Sequence, residues 1–119
     1  MEPKIVVGNA WVDGKAYHGW FMGHFVAPPE DPRATEVVEL KWGHHAQGDR
    51  RVAWTNNTQV TSLSILISGQ FRIDFVERSI VLAQQGDYVL WTPGVEHSWE
   101  AEADSVILTV RFPSQKISQ

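Results

Sequence analysis

The chain of 119 residues contains no cysteine. Disulfide bonds, thiolate metal sites and cysteine nucleophiles are therefore excluded. An excess of basic residues is also missing, because 10 Lys and Arg stand against 14 Asp and Glu, which gives a formal net charge of −4. An acidic surface attracts neither nucleic acid nor an anionic membrane, so we expect neither as a partner.

Long apolar runs are absent as well. The N-terminal segment MEPKIVVGNAW has no apolar stretch long enough for a signal peptide, and no later segment is long and apolar enough to span a bilayer. We therefore expect a cytoplasmic protein. A chain of this length can bury one core and has no room for a second, which predicts a single domain over residues 1–119.

Sustained helical periodicity with capping signals at both ends is not found anywhere in the sequence. Short segments follow one another instead, several of them alternating apolar and polar residues, separated by turns rich in Gly, Pro and Asn. Many short strands at such regular spacing predict an all-β barrel or sandwich. The strands are expected at residues 5–7, 37–42, 51–54, 63–68, 71–76, 79–82, 88–91, 97–102 and 106–112.

Residues 86–99 read GDYVLWTPGVEHSW, a run of strand-forming residues with a turn signal at each end. Gly86 opens the segment, and a Pro-Gly turn that ends at Gly94 stands three residues before His97. This spacing resembles the second signature motif of the cupin superfamily, with Thr92 in the position where the motif has a proline.

The resemblance implies the cupin fold, which is a small antiparallel β-barrel of jelly-roll type. The barrel is expected over about residues 36–112, and an N-terminal arm with strands over residues 1–35. The resemblance also implies an interior position for His97, because the histidine of this motif binds a metal ion inside the barrel.

The first cupin motif, which supplies two histidines and a glutamate to that metal, is degenerate in this chain. Alignment on Gly48 and Gly69 puts Trp54 and Asn56 in the histidine positions and Ser62 in the glutamate position. An indole cannot ligate a metal through its N–H, and neutral amide and hydroxyl oxygens are weak ligands for transition metals. We therefore expect no bound metal.

A rival alignment keeps a metal site. His44 and His45 could be a shifted remnant of the histidine pair, with Asp49 as the carboxylate and His97 as the ligand from the second motif. Adjacent residues on a strand point to opposite faces, so only one of His44 and His45 can face the interior. On this alternative, the protein binds one divalent transition metal.

Eight side chains are predicted to border one interior pocket, because the motif positions converge across the barrel in cupins. Large aromatic rings near those positions would form an apolar wall, and small polar groups would contact the ligand. His97 is the candidate catalytic residue, and the candidate ligand-binding residues are Trp54, Asn56, Ser62, Ser64, Tyr88, Trp91 and Trp99.

The basic residues near the motifs have a simpler interpretation. Lys41, Arg50 and Arg51 are interpreted mainly as solvated charges on the barrel surface. An arginine at the rim of a pocket could also pair with a carboxylate or phosphate, which makes Arg51 and Arg72 minor candidates for ligand contact.

Three functions remain open at this point. The first is binding of a small organic molecule without metal. The second is a metal-independent isomerase, epimerase or dehydratase in which His97 is the acid or base, with Tyr88 or Glu96 as its partner. The third is a metal-dependent dioxygenase or isomerase that uses His97 with His44 or His45. The sequence does not identify the ligand.

The segment from residue 62 to residue 68 predicts how the protein assembles. If Ser62 and Ser64 face the pocket, then Leu63, Ile65 and Ile67 form an outward aliphatic strip that needs a cover. In cupins that cover is commonly a second subunit, so we expect a homodimer. The alternative is a register shifted by one residue, with the aliphatic side chains in the core.

Overall fold

The computed structural model describes residues 3–114. Within this range, a helix of four residues, α1 (Ala10–Asp13), and a 3₁₀ turn (Gly14–Tyr17) precede nine strands. The strands are β1 (Trp20–Met22), β2 (Glu39–His45), β3 (Arg50–Thr55), β4 (Thr61–Ser68), β5 (Phe71–Phe75), β6 (Ser79–Leu82), β7 (Tyr88–Trp91), β8 (His97–Ala101) and β9 (Ser105–Phe112).

The strands form two antiparallel sheets. One contains five strands in the order β1-β2-β9-β4-β7, and the other contains four in the order β3-β8-β5-β6. Strands that are neighbours in a sheet are mostly distant in sequence, as in a jelly roll. The predicted all-β, antiparallel fold of jelly-roll type is confirmed.

The N-terminal region differs from the prediction. Residues 5–7 form no strand and pair with no other segment, so the strand predicted there is wrong. The helix α1 was not predicted, because four residues are too few to show a helical period. It begins after Asn9, whose side chain accepts a hydrogen bond of 3.1 Å from the backbone N–H of Val12.

Strand β4 has one polar and buried face near its start. Ser62, Ser64 and Leu66 are buried, while Leu63 and Ile65 between them are only half-buried. The strand is paired on both edges, with β9 on one side and β7 on the other. Its serine face therefore points between the sheets, and its aliphatic face points away from the second sheet.

An apolar core fills one part of the space between the sheets. Each large aliphatic side chain that is buried contributes about 1.5–3 kcal/mol to the stability of the fold. The side chains of this cluster come from both sheets and are Leu66, Phe71, Ile73, Leu82, Ala101 and Ile107. The space between the sheets also contains the cavity described below.

Two glycines adopt backbone conformations that other residues rarely adopt. Gly69 has φ +95° in the turn between β4 and β5, where a Cβ atom would collide with the carbonyl oxygen of Asp104. Gly94 has φ +87°, and its N–H donates a hydrogen bond of 2.8 Å to the carbonyl of Asn57. This second bond ties the turn before β8 to the loop after β3, and so positions the start of β8.

No helix among residues 3–114 combines the length and the apolar character that a membrane crossing requires.

Candidate functional site

A cavity of about 520 Å³ lies between the two sheets. Its walls come from the inner faces of both sheets and from the loop after β3, residues 56–58. The structure places six of the eight predicted pocket residues on these walls: Asn56, Ser62, Ser64, Trp91, His97 and Trp99.

Trp54 and Tyr88 do not line the cavity, which corrects the prediction for these two residues. Their side chains are 51% and 68% exposed. On β3 the cavity is lined by Arg51 and Thr55. Because Thr55 pairs with His97 and faces inward, the pleat turns the adjacent Trp54 outward. On β7 the same alternation turns Trp91 inward and Tyr88 outward.

Aromatic rings form two parts of the cavity wall. The ring of Trp99 stacks on Phe71 with centroids 5.2 Å apart and lies 4.6 Å from the ring of His45. The ring of Trp91 lies 4.7 Å from that of His97. Flat apolar surfaces of this kind can stack on a planar ligand.

Three cationic side chains also line the cavity: Lys41 of β2, Arg51 of β3 and Arg111 of β9. Lys41 is half-buried on this wall, so its interpretation as a solvated surface charge is wrong. Arg51 is exposed and also borders the cavity, as considered for an arginine at the rim, whereas Arg111 was not singled out at all. The alternation along β9 could have pointed to it, since Ile107, Thr109 and Arg111 share one face. The alternation alone does not reveal which of the two faces of β9 is the inner one.

The ring of Trp20 lies next to two of these cations. The guanidinium of Arg111 lies 4.1 Å from the centroid of the ring, and Nζ of Lys41 lies 5.8 Å from it. Both distances are within the range of cation–π attraction. Burial lowers the pKa of Lys41, and the positive charges of Arg111 and Arg51 lower it further.

Glu39 is the carboxylate next to Arg111. Its Oε1 lies 2.9 Å from Nε of Arg111, which is an ion pair by distance although the N–H does not meet hydrogen-bond geometry. Its Oε2 accepts a hydrogen bond of 3.0 Å from the hydroxyl of Ser114. That hydroxyl also lies 2.7 Å from Nδ1 of His24. The buried carboxylate thereby connects the N-terminal arm, the segment after β9 and the cavity.

Arg72, the other arginine considered for ligand contact, is held on the outside of the barrel. Its guanidinium pairs with Asp74 at 2.8 Å, Glu102 at 3.3 Å and Glu100 at 3.7 Å. The side-chain hydrogen bonds to Asp74 are the main cause of its raised pKa. These carboxylates occupy its donors, and Arg72 does not line the cavity.

This sheet arrangement is shared with solved structures of other proteins. KdgF from Halomonas sp. is 16% identical, the match covers 68% of this chain and 74% of that one, and the TM-score is 0.62. A cupin protein from Bacteroides fragilis is 20% identical over 72% of this chain and 74% of that one, with a TM-score of 0.60. The chain has the cupin fold.

A cupin-2 domain protein from Shewanella frigidimarina is also similar, with 20% identity over 66% of this chain and 72% of that one and a TM-score of 0.55. No protein-family model and no curated protein sequence matches the chain. At these identities the likeness concerns the cupin fold alone.

Many proteins with the cupin fold bind a metal ion, so the residues at the corresponding positions indicate whether this chain could bind one. Of the residues aligned with those positions, Asn56, Ser62 and His97 line the cavity and Trp54 faces outward. Among residues 3–114, no three His, Cys, Asp or Glu side chains are grouped so that they could hold a metal ion. This donor set does not fit a divalent transition metal.

The alternative set with His44 and His45 is only partly assembled. His45 lines the cavity, but His44 stacks on Trp11 outside it, with ring centroids 3.7 Å apart. Nε2 of His44 also accepts a hydrogen bond of 3.0 Å from the indole of Trp42. Asp49 is used in a turn, where it accepts a hydrogen bond of 2.9 Å from the N–H of residue 46. In the part of the chain that the structure describes, the cavity thus contains two histidines, His45 and His97, without a third ligand of good affinity.

Both cavity histidines have a lowered pKa, and burial is the main cause. The charge of Lys41 lowers the pKa of His45 further, and those of Arg51 and Arg111 do so for His97. A long contact of 3.5 Å between Nδ1 of His97 and the carbonyl of Val95 raises the pKa of His97, but less than burial lowers it. Both imidazoles are therefore mainly neutral at pH 7.

We predict that the free energy of unfolding falls as the pH drops below 6.5, the ordinary histidine pKa. In the unfolded chain His45 and His97 bind protons near that pH, whereas in the folded protein they bind them only at lower pH. The unfolded state then holds more protons, which favours unfolding. The stability that the two neutral imidazoles contribute is fully present above pH 6.5. It is lost as the pH falls from 6.5 through the lower pKa values that the two histidines have in the folded protein.

Urea unfolding across this pH range measures the effect. A variant with both His45→Gln and His97→Gln serves as the comparison, because it should lose less stability on acidification than the wild type. An equal loss in the two proteins would contradict the pKa assignments.

Proposed function

We propose that this protein binds a small organic molecule in the cavity between its sheets, and that binding does not require a metal. The observation that carries the proposal is the composition of the cavity wall, where aromatic rings and convergent polar groups surround one space of about 520 Å³. Binding sites for small molecules have volumes of roughly 300–1,000 Å³ and combine apolar walls with a few placed polar groups.

The wall offers different contacts on its different sides. Trp99 supplies apolar surface from the four-stranded sheet, and Trp91 supplies it from the five-stranded sheet. Ser62 and Ser64 supply hydroxyl groups from β4, the strand next to Trp91. His97 adds an imidazole that is neutral at pH 7 because burial lowers its pKa. A planar or cyclic molecule with polar substituents matches this combination.

Metal-independent acid–base catalysis by His97 is a second candidate, favoured by the neutral state of the ring. A neutral imidazole can accept a proton, but a catalytic one is usually oriented by a partner. The partners considered from the sequence do not provide this, since Tyr88 is 68% exposed and Glu96 is also exposed. Binding is therefore the better-supported function.

We expect His97→Ala to weaken ligand binding by about tenfold while the protein remains folded, because the change removes one polar contact from the cavity wall. Trp54→Ala serves as the matched control, since that side chain lies outside the cavity. Saturation-transfer NMR with a library of small organic molecules identifies binders, and circular dichroism checks the fold. Equal loss of binding in both variants would show that His97 has no specific role in binding. Unfolding of His97→Ala would show instead that the residue has a structural role, and the assignment of His97 as a binding residue would fail.

We propose that a homodimer forms through the outer face of the five-stranded sheet. The inward positions of β4 and β9 leave an aliphatic outer face, where Leu63 pairs with Val110 and Ile65 pairs with Leu108. On the neighbouring strand β7, Leu90 pairs with Leu63 and is 48% exposed. A continuous apolar face of this kind is typical of a protein–protein contact.

Ile65→Asp should convert this dimer to a monomer, because an unpaired carboxylate would be buried at its centre. Val81→Asp is the control, since Val81 is on the four-stranded sheet and 46% exposed. Size-exclusion chromatography with light scattering measures the mass of each variant. A wild-type protein that is monomeric at high concentration would contradict the dimer.

Protein purified without a chelator or a polyhistidine tag is expected to carry no tightly bound transition metal. Two imidazoles without a third strong ligand do not hold a divalent ion against water and buffer. Elemental analysis measures this directly. About one equivalent of iron, zinc, manganese or nickel per chain, lost in both His45→Gln and His97→Gln variants, would instead support the metal-dependent alternative.

A further inference from the structure

The charge of the cavity is opposite to that of the whole chain. The chain has a formal net charge of −4, yet the described residues that line the cavity include Lys41, Arg51 and Arg111 and no Asp or Glu. Glu39 next to Arg111 offsets one of these charges from outside the wall. With both cavity histidines neutral, the cavity has an excess of positive charge.

Two of the cations are neighbours on the same sheet face. Lys41 pairs with Thr109 across β2 and β9, and Arg111 occupies the next inward position along β9. Like charges at such positions repel each other, and partial burial strengthens the repulsion because less water screens it. The lowered pKa of Lys41 reflects this burial and the nearby arginines.

The third cation comes from the opposite sheet. Arg51 pairs with Trp99 across β3 and β8 and is exposed, so it stands at the open side of the cavity. Within residues 3–114, no carboxylate lies within ion-pair distance of Lys41 or Arg51. Positive groups from both sheets thus face one space without enough negative charge to balance them.

We propose that the cavity takes a small organic oxyanion, a carboxylate or a phosphate ester, whose charged group binds Lys41, Arg51 and Arg111. Its hydrocarbon part packs against Trp91 and Trp99. This inference rests on the proposed binding function and adds the chemical class of the ligand. An arginine fork suits either anion, and a bound anion would relieve the repulsion between the cations.

Benzoate, phenyl phosphate and benzamide are suitable probes, because they share a ring and differ in charge. Binding is followed by the indole signals of the tryptophans in two-dimensional NMR, assigned by single Trp→Phe variants. We expect benzoate or phenyl phosphate to shift the signals of Trp20, Trp91 and Trp99, and to bind at least about tenfold more tightly than benzamide, because only the anions gain charge-assisted hydrogen bonds.

Adjacent arginines on β3 provide a matched pair of variants. Arg51 lines the cavity, whereas Arg50 does not and pairs with Glu100 across the sheet. Arg51→Gln and Lys41→Met should weaken binding of the anionic probes by about tenfold and leave benzamide unaffected. Arg50→Gln makes the same change in net charge and should have no such effect. The indole spectra of the free variants show whether each is folded.

The outcomes separate this inference from the function on which it rests. If benzamide shifts the cavity tryptophans and binds as tightly as the anions, the cavity binds small molecules but the oxyanion inference is wrong. Equal weakening by Arg50→Gln and Arg51→Gln also overturns it, because only the overall charge would then matter. If no probe shifts these signals at millimolar concentration, both proposals fail. Preference for benzoate or for phenyl phosphate identifies which anion the site favours.

Discussion

The pairing of β4 with β9 is the constraint on which the site depends. Their register places Ser62 beside Arg111 and Ser64 beside Thr109 on the face between the sheets. It places the aliphatic residues of both strands on the opposite face. A shift by one residue would exchange the two faces, so it would remove the polar side of the cavity and bury the aliphatic strip. Both edges of β4 are paired, which opposes such a shift.

The interior is divided between an apolar part and a polar part, and each has a different consequence. The cluster around Leu66 and Ile73 stabilises the sandwich by burial of apolar surface. The cations of the other part oppose folding, because charges lose solvation when they are partly buried. The ion pair of Arg111 with Glu39 and the contact with Trp20 offset only part of that loss. Clusters of perturbed ionisable groups in a cavity are more frequent at functional sites than elsewhere.

Much of the fold could be predicted from local patterns. The strands at residues 79–82 and 88–91 were predicted with their observed bounds. The inner and outer faces of β7 and β9 depend on pairing between distant segments, which no local pattern contains. Trp54 was predicted to line the pocket because the alignment on Gly48 put it in one of the two histidine positions. In the structure the pairing of β3 with β8 shifts within β3 itself, between Arg51 and Thr55, so that Thr55 faces inward. Lys41 was misjudged because charged residues on an alternating strand usually face solvent.

A crystal structure of the protein soaked with benzoate tests the central claim, which is that the space between the sheets is an oxyanion site. The account predicts one benzoate in the cavity, with its carboxylate within hydrogen-bond distance of Lys41, Arg51 or Arg111 and its ring against Trp91 or Trp99. A benzoate whose carboxylate lies away from these cations, or a metal ion bound between His45 and His97, would contradict it.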